Sequence, residues 1–340
     1  MRLFKSIIAL LFIFQLVHSK EITDMLNRSV TIPDQPSKIY APSPYSTYAL
    51  YAIDPTLLVG WIFDISEENY QFLHPRMKTL PTIGRLFGAG QNANLEVLLS
   101  KNPDLIVMWK HSNEFTAKEE EMLKILNSPY IYVVDEDITD YVKIFRFLGK
   151  ALNREERGNK LADYSEKIFQ KTIKTVEKTA KNKRPRVYYA EGVDGLSTEC
   201  DDSIHVQLLK LAGDVNVHRC KTTSHKGFEK VSMERILKYD PQVIIVQDQM
   251  FYDKIYKSPI WSKIDAVKNK KVYLIPKAPF NWFDRPPSFM RIMSLNWLMN
   301  ILYPDDYKID LKSETKEFYK LFMGVDLSQK QLEHILQHAK

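Results

Sequence analysis

"NLEVLLSKNPDLIVMW", residues 94–109, is echoed later in the chain by "SMERILKYDPQVIIVQ", residues 232–247. Each copy opens on a residue able to cap a helix, Asn94 or Ser232. Each then carries a carboxylate, Glu96 or Glu234, in the first turn, where it meets the positive end of the helix dipole. Pro103 or Pro241 closes the short helix, and an apolar, β-branched run follows. A run without polar alternation fits a strand covered on both faces, the hallmark of a parallel sheet. One chain therefore builds the same helix–turn–buried strand unit twice.

Comparable runs surround both copies: "KIYAPSP" (38–44), "LVGWIF" (58–63), "YIYVVD" (130–135), "RVYYAEG" (186–192) and "KVYLIPK" (271–277). Helical patterns alternate with them at 45–53, 116–126, 138–151, 202–212, 258–266 and 286–302. Alternation of this kind predicts α/β architecture: two Rossmann-like lobes, each with a parallel sheet and helical cover. The lobes are expected at 20–150 and 184–340. Between them, 151–183 carries Leu161, Tyr164, Ile168 and Val176 on one helical stripe. About 25 helical residues would reach roughly 38 Å, a stiff connector in place of a flexible linker.

With 340 residues, 44% of them hydrophobic and 26% charged, the chain has the composition of a folded, water-soluble protein. Lys and Arg total 48 against 42 Asp and Glu. This mild excess lacks the concentrated basic stripe of a nucleic-acid binder. Arg2 and Lys5 precede the apolar run "IIALLFIFQLV", and Ser19 ends a cleavage-like site, so residues 1–19 read as a secretory signal peptide. Lys20 supplies no lipoprotein-type Cys, and an exported, periplasmic chain is expected. In an oxidising compartment Cys200 and Cys220 favour a disulfide; the alternative is a thiol pair that ligates metal.

Enzymatic signatures are missing: no G-x-S-x-G elbow, no H-E-x-x-H helix and no P-loop occur. "GAGQNA" (88–93) imitates a dinucleotide loop without the preceding strand that such a loop requires.

The order and spacing of "RSVTIPDQPSKIYAPSP" (28–44), the two repeats, "GLSTECDDSIHVQLLKLAGDVNV" (195–217) and "FNWFDRPPSFMRIMSLNWL" (280–298) resemble the periplasmic substrate-binding proteins of ABC importers for metal chelates. That group carries iron-siderophores, haem and cobalamin. The resemblance implies a monomer that delivers a small metal complex of iron or nickel to a permease and its ATPase, with no catalytic cofactor. It also implies that Glu96 and Glu234 dock each lobe on permease arginines. Their alternative is a purely local role at the helix dipole.

The cleft is expected between the lobes, at the ends of the strands. Tyr45, Trp61, Arg85, Phe87 and Trp109 are its candidates on one side, Glu191, Phe228, Trp282 and Arg285 on the other. Aromatic rings suit a flat chelate and arginines its anionic oxygens. The alternative for Arg285 is a clamp to Asp284 or Glu191. His218 and His225 are candidate metal ligands, though their spacing is no zinc signature. His334 and His338 share a helix face near the C-terminus. Molybdate-type oxyanions are the second cargo class. A non-transport envelope scaffold or metal-storage protein is the remaining function.

Overall fold

The computed structural model describes residues 18–86, 93–110, 117–222 and 227–339, leaving aside the side chains of 117–120. An antiparallel ribbon leads, β1 (Ser19–Thr23) with β2 (Ser29–Pro33). The buried Asp24 at its turn accepts from the backbone of Leu26, Arg28 and Tyr132 and from the Arg28 side chain at 2.7 Å, which ties the ribbon to the first sheet.

That sheet is parallel, in the order β3 (Ile39–Tyr40), β4 (Leu105–Lys110), β5 (Tyr130–Val134). A second parallel sheet contains β6 (Val187–Ala190), β9 (Val243–Val246) and β10 (Val272–Leu274), with β9 in the middle. The small antiparallel pair β7 (Ser197–Thr198) and β8 (Glu229–Lys230) lies beside it. Both repeat strands, β4 and β9, thus occupy sheet centres, where continuous apolar sequence is required. The helices before them, Leu95–Lys101 and Met233–Tyr239, are capped by Asn94 accepting from Val97 N and Ser232 accepting from Arg235 N. Both end on a left-handed residue, Asn102 or Asp240.

One expected strand is missing. Residues 58–63 divide their backbone hydrogen bonds, Val59 N donating to Ile39 and Trp61 N to Pro81, so only isolated bridges form. The pattern at 258–266 also breaks, into a 3-10 turn, Trp261–Lys263, and a short helix, Asp265–Lys268.

The connecting helix runs Glu155–Lys178, 24 residues or about 36 Å. Leu161, Tyr164, Ile168 and Phe169 are buried along its inner stripe, while Val176 is half-buried. It crosses helix Tyr141–Ala151 at Gly149 and Gly158, where a Cβ on Gly149 would come within 2.9 Å of the Gly158 Cα. Only hydrogen at both positions permits that approach.

One apolar core runs through both halves. Trp61 stacks on Phe280 at 5.9 Å, Tyr48 meets Phe280 at 4.5 Å, and Tyr51 stacks on Phe289 at 6.5 Å. The C-terminal region, expected within the second lobe alone, crosses back to the first. Tyr51 Oη donates to Met323 O, Phe145 packs on Phe322, and in helix Gln329–Leu336 the Gln331 amide donates to Gln71 O at 2.9 Å. His334 of that helix stacks on Phe72, His338 lies against Tyr252, and Trp297 Nε1 donates to Ala339 O at 2.7 Å.

Candidate functional site

The carboxyl ends of both sheets turn toward the junction of the halves, the place where α/β sheets hold ligands. On the first side, Ser43 follows β3 and caps helix Pro44–Ile53, which brings Tyr45 over the end of β4. Tyr45 stacks on Trp109 at 5.7 Å, and Tyr141 flanks the same indole at 6.1 Å. Trp109 Nε1 donates to Asp135 Oδ1 at 2.7 Å, fixing the ring. Asp135 immediately follows β5, so adjacent strands supply both partners. Burial pushes the Tyr45 and Tyr141 phenols up; the Arg291 charge draws both back down, and Asp135 opposes it. This side is an aromatic wall of neutral rings.

The second side is ionic. Glu191 follows β6 and Glu199 follows β7, and with Asp284 they are fully buried carboxylates. Arg285 clamps them: Nε donates to Glu191 Oε1 at 2.7 Å and Nη2 donates to Glu199 Oε1, while Asp284 lies 3.5 Å away. Ser203 Oγ donates to Glu199 Oε2 at 2.8 Å. Burial pushes the Glu191 carboxyl up to about 7; Arg285 pulls against this and the neighbouring Glu199 adds to it. His205 Nδ1 lies 2.9 Å from Asp284 Oδ1. Burial opposes charge on this imidazole, but the Asp284 hydrogen bond and charge prevail and raise its pKa.

Phe228 stands at the rim, 43% exposed, with the Arg285 guanidinium 4.0 Å from its ring centre. Its φ of 63°, after Gly227 at 65°, turns the Phe228 N–H onto Glu199 Oε1 at 3.1 Å. A side chain at Gly227 would collide with that carboxylate. A bulky side chain is uncommon in this backbone region, and here the hydrogen bond to Glu199 and the contact with Arg285 hold it.

The expected cleft residues are thus divided. Tyr45, Trp109, Glu191, Phe228 and Arg285 lie at the junction. Trp61 and Trp282 do not face it: Trp61 is locked among Tyr48, Tyr51 and Phe280, and Trp282 is fully enclosed, with Nε1 donating to Tyr319 Oη. Large rings joining two halves find more contact area in the core than at a wet surface. Arg85 is half-buried, its carbonyl accepting from Ala93 N. Phe87 and His225 fall outside the described residues, as does most of the expected leader.

Cys200 and Cys220 form a disulfide, with Cα atoms 4.9 Å apart. The sulfurs and the His218 imidazole lie within 4.8 Å of one another, but the sulfurs are spent on each other. His218 is buried with Nδ1 2.8 Å from Tyr239 Oη, and burial, then the Arg235 charge, lowers its pKa. That favours a neutral structural imidazole over one arm of a thiolate site. Glu96 and Glu234 are both exposed in their first helical turns.

Asp135, Tyr141, Glu199, His205 and Arg291 join the site without having been singled out in sequence, and Asp284, named there only as a possible partner of Arg285, joins it too. The signal for Arg291 was present: it is the one charge in "MRIMSLNWLMNIL", helix Met290–Leu302, which is buried on nearly every face.

The profile of the periplasmic binding protein family matches residues 85–279. An ABC transporter solute binding protein of Sulfurospirillum deleyianum is 37% identical, with a TM-score of 0.85 over 93% of this chain and 99% of its own. The molybdate-binding protein MolA of Haemophilus influenzae is 25% identical over 91% of this chain and 92% of its length. An Fe(3+)-citrate-binding protein of Bacillus subtilis is 28% identical over 55% of this chain and 58% of its length. No helix among the described residues is long and apolar enough to cross a membrane.

Proposed function

We propose that this chain, which belongs to the periplasmic binding protein family and acts as a substrate-binding component of an ABC importer, is exported by its leader and captures a compact metal chelate of iron or nickel between its halves. The observation that carries this reading is the pairing of two unlike walls at one junction. Rings of Tyr45, Trp109 and Tyr141 face a buried ionic set of Glu191, Glu199, Asp284, Arg285 and His205. A chelate offers both faces at once, apolar ligand edges to the rings and polar or charged groups to the ionic wall.

Permease and ATPase are the partners of such a component, and Glu96 and Glu234 give it one exposed carboxylate at an equivalent position of each repeat. A second reading, a molybdate-type oxyanion, is favoured by the likeness to a molybdate-binding protein along nearly the whole chain. Native mass spectrometry with elemental analysis, on protein purified from its own periplasm, tests the proposal. Iron or nickel with an organic ligand supports the first reading and molybdenum the second. Protein that neither carries nor takes up any metal species refutes both.

A further inference from the structure

Arg285 and Arg291 lie six residues apart in the segment that closes the second half, in opposite electrostatic circumstances. Two fully buried carboxylates hold Arg285. Arg291 is only 3% exposed, yet among the described residues no Asp or Glu lies within ion-pairing distance of it. Its contacts are neutral: Nη2 donates to Gln207 Oε1 at 2.6 Å and, weakly, to Ile204 O at 3.5 Å, and Nε has no partner.

Removing a guanidinium from water without a counter-charge costs several kcal/mol, and such groups persist where something outside the fold repays that cost. The surroundings indicate what does so. Nη2 is bonded to both ends of the short turn that carries His205, whose side chain is nine-tenths buried and whose Nε2 is also unpartnered while Nδ1 is held by Asp284. The Gln207 amide reaches across to Glu136 O at 3.3 Å, so Arg291 sits where the two halves meet. The Arg291 charge is felt by the phenols of Tyr45 and Tyr141 on the opposite wall.

We propose that Arg291 is the anion anchor of the junction, receiving with His205 Nε2 an oxygen-bearing anionic group of the cargo, while Arg285 serves as a structural clamp on Glu191 and Glu199. The assignment rests on the reading that the junction holds the cargo. A carboxylate arm of a chelate and a free oxyanion present the same chemistry to a forked guanidinium, two adjacent anionic oxygens.

The test is titration calorimetry of the full mature protein with ferric citrate and with sodium molybdate, on wild type, Arg291→Lys and Arg291→Met. Melting curves of the cargo-free proteins accompany it. Wild type is expected to bind one probe, and which one separates the chelate arm from the free oxyanion. Arg291→Met weakens that binding at least 100-fold and Arg291→Lys, which keeps charge without the fork, less. Cargo-free Arg291→Met melts higher than wild type, by on the order of 2 °C or more, because an unpaired buried charge has gone. A purely structural arginine would lower the melting temperature and leave affinity alone.

Affinity of Arg291→Met within threefold of wild type overturns the anchor and leaves the junction as cargo site intact. So does a wild type that binds neither probe but leaves the periplasm loaded with a neutral or cationic complex. Wild type without cargo of any kind removes the reading of the junction and the anchor together.

Discussion

The two repeats share a frame and differ in what they hold up. Helix Leu95–Lys101 and helix Met233–Tyr239 have the same length, the same capping geometry, a left-handed end and a central parallel strand behind them. Yet β4 ends among tyrosines around a fixed indole, whereas the sheet of β9 ends among buried carboxylates around an arginine. The backbone frame answers to hydrogen bonding and burial, which are identical demands in both halves. On the proposed reading the strand ends answer to the cargo, which shows each half a different face.

The sharpest way to break the shared frame is at its exposed carboxylates. Glu96→Lys and Glu234→Lys should each lower cargo uptake by whole cells on the order of tenfold or more through like-charge contact with permease arginines, with cargo affinity unchanged. Uptake insensitive to both reversals would reduce these residues to helix-dipole partners and favour a non-transport role.

The ionic half carries the staple that the aromatic half lacks. Cys200→Ser with Cys220→Ser opens a loop with a sequence separation of 20, a loss of about 3 kcal/mol in denaturant unfolding. Because Glu199 adjoins Cys200, the loss should come with a weaker grip on Arg285. Stability within 1 kcal/mol of wild type would mean that the pair contributes little to that wall.

A smaller effect comes from titration. The Glu191 carboxyl rises from an ordinary 4.5 to about 7 on folding. The folded form therefore prefers the proton, and the resulting stability is full below about 4.5 and drains away as pH climbs to about 7, at a slope of up to about 1.4 kcal/mol per pH unit. Glu191→Gln should flatten the stability profile across that window. The aromatic wall supplies no counterpart, since its phenols titrate far above it. A profile unchanged by the substitution would assign the shared proton to another group of the cluster.

Smallest is the test of equivalence itself. Asn94→Ala and Ser232→Ala remove the same side-chain acceptor of a capping bond from each repeat and should cost about 1 kcal/mol apiece. A twofold or larger inequality would show that one helix is held mainly by its tertiary contacts.

Periodicity made the repeats, the central strands and the connecting helix legible, because each obeys a local rule of capping, burial or stripe. The break at 58–63 was hidden since it depends on a partner, Pro81, that local pattern does not reveal. At the site, aromatic and charged residues of loops were recognisable as types, and Arg285 as a clamp to Glu191 was among the alternatives. Which ring joins the core and which faces the junction was not, because Trp61 and Trp282 are sorted by long-range contacts with Phe280 and Tyr319. Glu199 escaped notice for the same reason: a buried carboxylate looks like a surface one until the fold closes around it.

The last helix sets a mechanical limit. Gln331 hangs from Gln71 in one half while Ala339 is pinned by Trp297 in the other, and His334 is seated on Phe72. The halves are therefore tied a second time at the last helix, beside the apolar core that already joins them. Trimming the chain before Ser328 would remove that second tie together with the buried Leu332, Ile335 and Leu336, and should loosen the hold of one half on the other.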